Sequence, residues 1–421
     1  PIVLVANTTL NTGSAALTLN ATVNGAYTLT LNSTAATTFA GIVGGSAAPT
    51  GINTNADGTV VFNTTAITSA GAQLYRENAT IGGNITFTTG NNNITFSGTV
   101  DSVSDTKTLT IVAGSGDTTF SGTVGGSEAL GNTTIGTAGL TASAFKVQGT
   151  LAITNSAASE IDGVISDGDS AGIITKAGAG NLTLSGDNTY TGATTVNAGT
   201  IAISHADSLG GTSGATTVAS GAALSISGGI TVAEPITISG TGISSGGAIV
   251  FTGGNNTYSG AITLGATSTI VSSSGAQTIS AAINGGSGLT ITANGNLVVS
   301  GAVGGSTALS SYAVTSTGSA SQTFSANIIT SGNQTYTAAG GIVTSGARTF
   351  TSNSGTVNFV SALSGDNNVT VTGNADIDGA ITDIAVLAIS GASNIGANIT
   401  TSDTQTYTGA VTLSADVTLT S

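Results

Sequence analysis

The sequence predicts an all-β parallel β-helix, or β-solenoid, with coils of about 20–25 residues. Three observations support this fold class: short runs in which apolar and hydroxyl side chains alternate, glycine and asparagine between those runs, and internal repeats. An alternation with a period of two places the apolar side chains on one face of a strand and the hydroxyl groups on the other. Because strands this short cannot bury an apolar face alone, successive coils must stack around a shared interior.

The predicted strands recur along the whole chain. Valine, isoleucine and threonine are frequent in them, and their branched Cβ atoms favour an extended backbone. Only three prolines occur, as expected where backbone N–H groups are needed in hydrogen-bonded ladders. No comparable stretch has the spacing of an amphipathic helix, so no helix is predicted. The clearest alternating runs are 16–20, 107–111, 181–185, 288–292, 369–372 and 417–420.

Internal repeats indicate the coil length. The gaps between the phenylalanines near the start are nearly all equal, at roughly 23–25 residues, and a period in this range is typical of one solenoid coil. Only the gap from 87 to 96 departs from it. Two short segments also recur, one ending in Gly-Gly-Ser and one built on Asn-Thr-Tyr or Gln-Thr-Tyr. The phenylalanines are at 39, 62, 87, 96, 120 and 145, and the segments are 37–46, 118–127 and 297–306, and 188–193, 256–261 and 405–410.

A string of β-sandwich domains is the alternative fold. The interval from Phe39 to Phe120, between two copies of one repeat, would suit one such domain. However, sandwiches usually have longer strands and a core tryptophan or paired cysteines, whereas this chain has neither Trp nor Cys and shows no linker. We therefore interpret residues 1–421 as a single continuous solenoid segment of a longer or polymerised protein.

Composition argues against several partners and sites. The net charge of −14, from 19 acidic and 5 basic residues, argues against nucleic acid, whose phosphates require a basic surface. The longest apolar run, 384–389, is far shorter than the ~18 residues of a membrane-spanning helix, so this segment is not expected to insert into a membrane. Without cysteine the chain forms no disulfide and no thiolate zinc site.

Residues 177–210 carry a more specific signal. They read AGAGNLTLSGDNTYTGATTVNAGTIAISHADSLG, and from Gly178 to Ile201 they match the pattern G-x-G-x-L-x-L-x-G-x-N-T-Y-x-G-x-T-x-V-x-x-G-x-L, with isoleucine at the last position. This segment resembles the autotransporter-associated β-strand repeat of large secreted bacterial passenger proteins. The rest of the chain is more loosely similar to haemagglutinin-like surface proteins. The resemblance implies a right-handed parallel β-helix, secretion to the bacterial cell surface and no shared catalytic residues.

The function that the resemblance implies is that of a non-enzymatic adhesin or rod-like passenger. Its partners would be a host, matrix or neighbouring-cell surface. The alternative function is a structural subunit of an extracellular filament, sheath or surface layer, whose partners are other copies of the chain joined end to end. A polysaccharide-active β-helix enzyme is a more remote alternative. No cofactor is predicted.

Few residues could carry chemistry. His205, the single histidine, has Ser204 and Asp207 beside it, but sequence neighbours do not converge as the members of a catalytic triad do. We therefore expect His205 to be an exposed corner residue. The Gly-Gly-Ser segments are predicted to be turns, because no lysine and no helix follow them as in a phosphate-binding loop.

An acidic segment is the weak candidate for a metal site. Asp162, Asp167 and Asp169, with Glu160 before them, could offer oxygen ligands to calcium, but the spacing of a calcium-binding loop is missing. Any calcium bound there would be adventitious, and a solvated loop is the expected structure. The other close acidic pair is at 376 and 378.

Overall fold

The structure, a computed structural model, describes residues 1–104, 106–316 and 318–421. The chain forms two compact units, Pro1–Ala215 (unit 1) and Thr216–Ser421 (unit 2). Each unit consists of short parallel β-strands joined by turns, so the prediction of an all-β parallel solenoid is confirmed. Among the described residues, no helix has the length and apolar character needed to cross a membrane.

Unit 1 is built from short strands. Buried and more exposed positions alternate along them, as in Thr28–Ser33, because successive side chains of a strand point to opposite faces. The strands described in unit 1 are β1 (Ile2–Val3), β2 (Thr8–Gly13), β3 (Leu17–Leu19), β4 (Val23–Asn24), β5 (Thr28–Ser33), β6 (Ala36–Phe39), β7 (Gly51–Thr54), β8 (Thr59–Phe62), β9 (Ala66–Ser69), β10 (Gln73–Tyr75), β11 (Asn78–Ile81), β12 (Ile85–Thr89), β13 (Ile94–Phe96), β14 (Val100–Ser102), β15 (Leu109–Val112), β16 (Thr118–Phe120), β17 (Thr133–Thr137), β18 (Leu140–Ala142), β19 (Phe145–Val147), β20 (Thr150–Asn155), β21 (Ser159–Ile161), β22 (Ile165–Asp167), β23 (Ile173–Ala177), β24 (Asn181–Leu184), β25 (Thr194–Val196) and β26 (Gly199–Ile203).

Three parallel ladders run through unit 1, and the second of them ends at β22, before the other two. The first ladder contains β2, β5, β7, β10, β13, β16, β18, β21, β24 and β26. The second contains β3, β6, β8, β11, β14, β19 and β22, and the third contains β1, β4, β9, β12, β15, β17, β20, β23 and β25. The coils differ in length, since Ile94 pairs with Thr118, whereas Ile135 pairs with the closer Ile153.

Unit 2 has the same construction, with the short 3-10 turn Ile243–Ser245 among its strands. Its described strands are β27 (Thr216–Val218), β28 (Ala222–Ile226), β29 (Thr231–Val232), β30 (Ile236–Gly240), β31 (Ile249–Phe251), β32 (Thr257–Tyr258), β33 (Ile262–Ser272), β34 (Gln277–Ile279), β35 (Ile283–Asn284), β36 (Leu289–Ala293), β37 (Leu297–Val299), β38 (Tyr312–Ser316), β39 (Gln322–Phe324), β40 (Ile328–Thr330), β41 (Gln334–Ala338), β42 (Ile342–Thr344), β43 (Arg348–Phe359), β44 (Leu363–Ser364), β45 (Val369–Ile377), β46 (Ile381–Ile384), β47 (Leu387–Ile389), β48 (Ser393–Ile395), β49 (Ile399–Thr401), β50 (Gln405–Tyr407), β51 (Val411–Leu413) and β52 (Leu419–Thr420).

The coils of unit 2 also differ in length. Leu224 pairs with Ile249, an interval within the predicted range. The pairs of β45 with β48 and of β48 with β51 instead share one shorter interval, as between Ile377 and Ile395. The pairs of β43 with β45 have this interval from Thr356 onward. The short coils arise because their corners contain only two or three residues, such as 385–386 and 390–392. The predicted coil length of about 20–25 residues therefore describes most coils and overestimates the last ones.

Aromatic rings fill much of the interior of unit 1. The fully buried Phe62 has its ring centroid 5.4 Å from that of Phe39, 5.0 Å from that of Tyr75 and 4.9 Å from that of Phe87. These side chains come from all three ladders, so the stack joins the three sides of the coil. Phe96, Phe120 and Phe145 extend it. A second buried cluster in unit 2 contains Tyr312, Phe324, Tyr336, Phe350 and Phe359.

The predicted Gly-Gly-Ser turns are confirmed. Their first glycines, Gly44, Gly125 and Gly304, have φ of 75°, 77° and 72°, a left-handed conformation that glycine adopts without strain. In the first turn the Ser46 N–H donates to Asn24 Oδ1 of the preceding coil at 2.9 Å. The other two turns repeat this bond, from Ser127 to Asp101 at 2.8 Å and from Ser306 to Asn284 at 2.9 Å.

Candidate functional site

The segment with the most specific sequence pattern lies in unit 1, across β23, β24, β25 and β26. Leu182 pairs with Ile201, and Leu184 pairs with Ile203, and all four side chains are buried in the interior. Tyr190 is also fully buried, and its hydroxyl lies 2.7 Å from Thr194 Oγ1. The apolar and tyrosine positions of the pattern therefore supply the core of two successive coils.

Asn188 joins three coils at one corner. Its side-chain Oδ1 accepts the Ile165 N–H at 2.7 Å, and its Nδ2 donates to the Ser208 carbonyl at 2.6 Å. Asn188 is buried, so an apolar replacement would leave both backbone groups without this partner. The asparagine of the pattern is thus a structural clamp between the preceding and the following coil.

Two glycines of the pattern, Gly192 and Gly199, are required by close packing between coils. A Cβ atom on Gly192 would overlap the Gly172 carbonyl group of the preceding coil, and one on Gly214, a coil later, would overlap the Gly192 carbonyl group. Gly199 has φ of 69°, and its Cβ atom would lie 2.7 Å from Lys176 Nζ. These positions admit no side chain because atoms of the neighbouring coil occupy the space.

Lys176 points into the interior of unit 1, where its side chain is fully buried. It occupies an inward position of the third ladder, between Ile153 and Val196. Its Nζ donates to the carbonyl oxygens of Ala177 and Gly178, both at 2.8 Å, and to that of Ala198 at 3.1 Å. Burial lowers the pKa of Lys176 to about 8, because the charged form has lost its hydration.

Replacement of Lys176 by methionine is expected to remove a pH dependence of stability. Between about pH 8 and pH 10 the unfolded chain binds more protons at Lys176 than the folded chain, so the free energy of unfolding of unit 1 rises with pH. Urea unfolding of the wild type and of K176M at intervals from about pH 7.5 to 9.5 measures this slope. The half-exposed Lys146 provides the control, and K146M should keep the rise. Equal slopes in all three proteins would contradict the prediction.

The acidic segment proposed for calcium is engaged in hydrogen bonds within the protein. Asp167 Oδ1 accepts the Gly172 N–H at 2.7 Å, and Asp167 Oδ2 accepts the Thr191 hydroxyl at 2.6 Å. The Asp169 N–H donates to Gln148 Oε1. Asp162 and Asp169 are exposed. Asp167 therefore fixes the loop after β22 to the next coil. The three acids stay only a weak candidate for adventitious calcium.

The other acids considered from the sequence are surface residues. Glu160 is exposed on β21, with its backbone paired to Thr183. Asp376 Oδ1 accepts a hydrogen bond at 2.8 Å from Nδ2 of Asn394 on the adjacent coil. Asp378 is exposed. Asp376 thus takes part in coil-to-coil bonding.

His205 is half-exposed and lies close to two acids, Asp207 in its own turn and Asp187 on the neighbouring coil. One ligand atom from each of Asp187, His205 and Asp207 lies within 4.8 Å of the other two. His205 Nδ1 is 4.0 Å from Asp207 Oδ2 and accepts the Asp207 N–H at 3.2 Å. His205 lies at a corner, as expected, but it is half-exposed. Sequence reasoning missed that Asp187 lies close to it.

Comparison with known families finds one match. Residues 174–203 match the family model described as the passenger-associated-transport-repeat. Comparisons with curated proteins and with solved structures yield no match. The matched residues are those of β23 to β26, where the core, the Asn188 clamp and the close glycine contacts explain the sequence pattern. The repeat at 174–203 and the parallel β-solenoid together fit an autotransporter passenger-like repeat protein.

Proposed function

We propose that this chain is a non-enzymatic passenger, exposed outside the cell, that acts as an adhesin. The observation that carries the proposal is the passenger-associated repeat at 174–203, which lies within the stacked coils of unit 1. A repeat of this kind supports export of the chain and its display at the cell surface. The residues of its pattern serve coil packing, so recognition belongs to the outward faces of the coils.

The outward faces are rich in hydroxyl and amide groups and poor in charge. In the third ladder of unit 1, Thr86, Thr110 and Thr134 stand at equivalent outward positions of three successive coils. Charged residues make up only 6% of the chain, so hydrogen bonding and multiple weak contacts would dominate attachment. Repetition of one weak site along a surface raises overall affinity without strengthening any single contact. Such a surface suits a polar matrix or cell-surface partner.

Attachment by intact cells of the source organism tests the proposal. Antibodies against the full chain should label intact cells, and an external protease should remove the label. Cells lacking the gene should attach to an extracellular matrix or host-cell layer several-fold less than the parent, and added soluble chain should compete with the parent. Equal attachment by both strains would reject the adhesin function.

The same cells distinguish the structural alternative. Immunogold electron microscopy should place the label on separate surface molecules if the chain is an adhesin. Label on ordered fibres or a lattice, lost together with the gene while attachment is unchanged, would instead favour a filament, sheath or surface-layer subunit. Degradation of a surface polysaccharide by the purified chain would instead favour the alternative of a polysaccharide-active enzyme.

A further inference from the structure

We propose that Asp187, His205 and Asp207 form a binding site for a divalent transition metal ion, with Zn²⁺ as the test ion, that links two successive coils of unit 1. The three side chains supply one imidazole nitrogen and two carboxylate oxygens within 4.8 Å of one another. This inference concerns a site outside the core of the repeat and does not depend on the adhesin function.

The fold holds the backbone of these residues in place. Asp187 follows β24, and His205 and Asp207 follow β26, which is the next strand in the first ladder. Directly beside the cluster, the Asn188 N–H donates to the Asp207 carbonyl at 3.2 Å. The turn after β26 is fixed further by a bond from the Ser208 N–H to the His205 carbonyl at 3.3 Å. The two corners are therefore hydrogen-bonded to each other before any ion is bound.

The side chains can close around an ion with small movements. His205 Nδ1 and Asp207 Oδ2 are 4.0 Å apart, whereas two ligands of a tetrahedral zinc ion are about 3.4 Å apart. The side chains of His205 and Asp207 are 43% and 58% exposed, so rotation about their side-chain bonds is not blocked by core packing. Because Nδ1 accepts the Asp207 N–H, it is the ring nitrogen without a proton in this arrangement. An ion would bind the lone pair of Nδ1 in place of that long hydrogen bond.

The chemistry of the ligands selects the type of ion. Calcium and magnesium prefer sets of oxygen ligands, whereas an imidazole nitrogen favours zinc, nickel and copper. Three protein ligands leave a further coordination position for water. Because Asp187 and His205 come together only when the coils stack, the ion should bind the folded state preferentially and stabilise unit 1. The thermal midpoint of unit 1 should rise by roughly 5–10 °C at a zinc concentration about 100 times the dissociation constant.

The single histidine makes a direct test possible. The full chain, labelled with ¹³C and ¹⁵N in histidine, gives one set of imidazole NMR signals, which should shift and saturate with one equivalent of ZnCl₂. D187N and D207N should each weaken zinc binding at least tenfold, and H205A should abolish the rise in thermal midpoint. D169N, which changes an exposed acid outside the cluster, should bind zinc as the wild type does, and CaCl₂ should not move the imidazole signals.

Two results would overturn the proposal. The first is an imidazole signal that does not change at millimolar zinc. The second is a zinc affinity that D187N and D207N leave unaltered, which would mean adventitious binding by a lone histidine. Circular dichroism without zinc checks that each variant is folded, and the exposed positions of Asp187 and Asp207 make loss of folding an unexpected result.

Discussion

Replacement of Phe62 by alanine is expected to destabilise unit 1 by about 3–5 kcal/mol, the usual effect of removing a buried ring. The Phe62 ring contacts partners on three sides, with centroid distances of 4.9–5.4 Å to Phe39, Tyr75 and Phe87. These partners belong to different coils and different ladders, so they cannot all move into the space that the ring leaves. The variant should therefore contain a cavity, with its cost added to that of the lost apolar burial.

Urea unfolding measures the loss of stability, and hydrogen exchange shows where along the chain the loss falls. The control is V61A on the same strand, β8, where Val61 is a half-buried outward residue. Its effect should stay below about 1 kcal/mol. Similar losses for the two variants would contradict the view that the aromatic stack stabilises this part of the solenoid.

Replacement of Gly192 by alanine is expected to destabilise unit 1 by about 2–3 kcal/mol, although it adds only one methyl group. The new Cβ atom would overlap the carbonyl oxygen and carbon of Gly172, which belong to the backbone of the preceding coil. Relief of this overlap requires the two coils to separate locally, and that movement would lengthen the hydrogen bonds of the third ladder beside β25. Hydrogen exchange of the amides in β23 and β25 should therefore become faster.

Gly211 provides a matched control one coil later. A Cβ atom at Gly211 would have its nearest neighbour, the Tyr190 carbonyl oxygen, at 3.7 Å, which is an ordinary contact distance. G211A should leave the urea midpoint within the range of other surface changes, about ±0.5 kcal/mol. If G192A were as stable as G211A, the close approach of the coils at Gly192 would not be a constraint on the sequence.

The strands and their stacking could be predicted because both follow from local pattern. Alternation of apolar and hydroxyl residues marks many of the strands, and glycine or asparagine marks many of the corners. The pairing of Phe39 with Phe62, and of Phe96 with Phe120, agrees with the predicted coil spacing. The equally regular gap from 62 to 87 is misleading, because Phe87 lies on the third ladder and Phe62 on the second. Since corner lengths vary, equal spacing does not identify equal position in the coil.

The polar features of the candidate site were harder to predict. Lys176 stands at an inward position of the alternating pattern, but a lysine there would ordinarily be expected to face solvent. Its partners include the carbonyl of Ala198 on the next coil, and that contact depends on how the two coils stack. The approach of Asp187 to His205 likewise depends on stacking. The sequence does contain one indication of this approach, because Asp187 and Asp207 are separated along the chain by about the length of one coil.

The uniform spacing of one ladder near the end of unit 2 has a consequence for variation in chain length. Phe359, Ile377, Ile395 and Leu413 are successive partners in one ladder. Deletion of one such interval would join two residues that already occupy equivalent positions in adjacent coils. The remaining side chains of the shortened protein would therefore keep their inward or outward direction. Loss of a single residue within a strand would instead reverse inside and outside beyond it. Recombination that adds or removes whole intervals is therefore the tolerated route by which this region can lengthen or shorten.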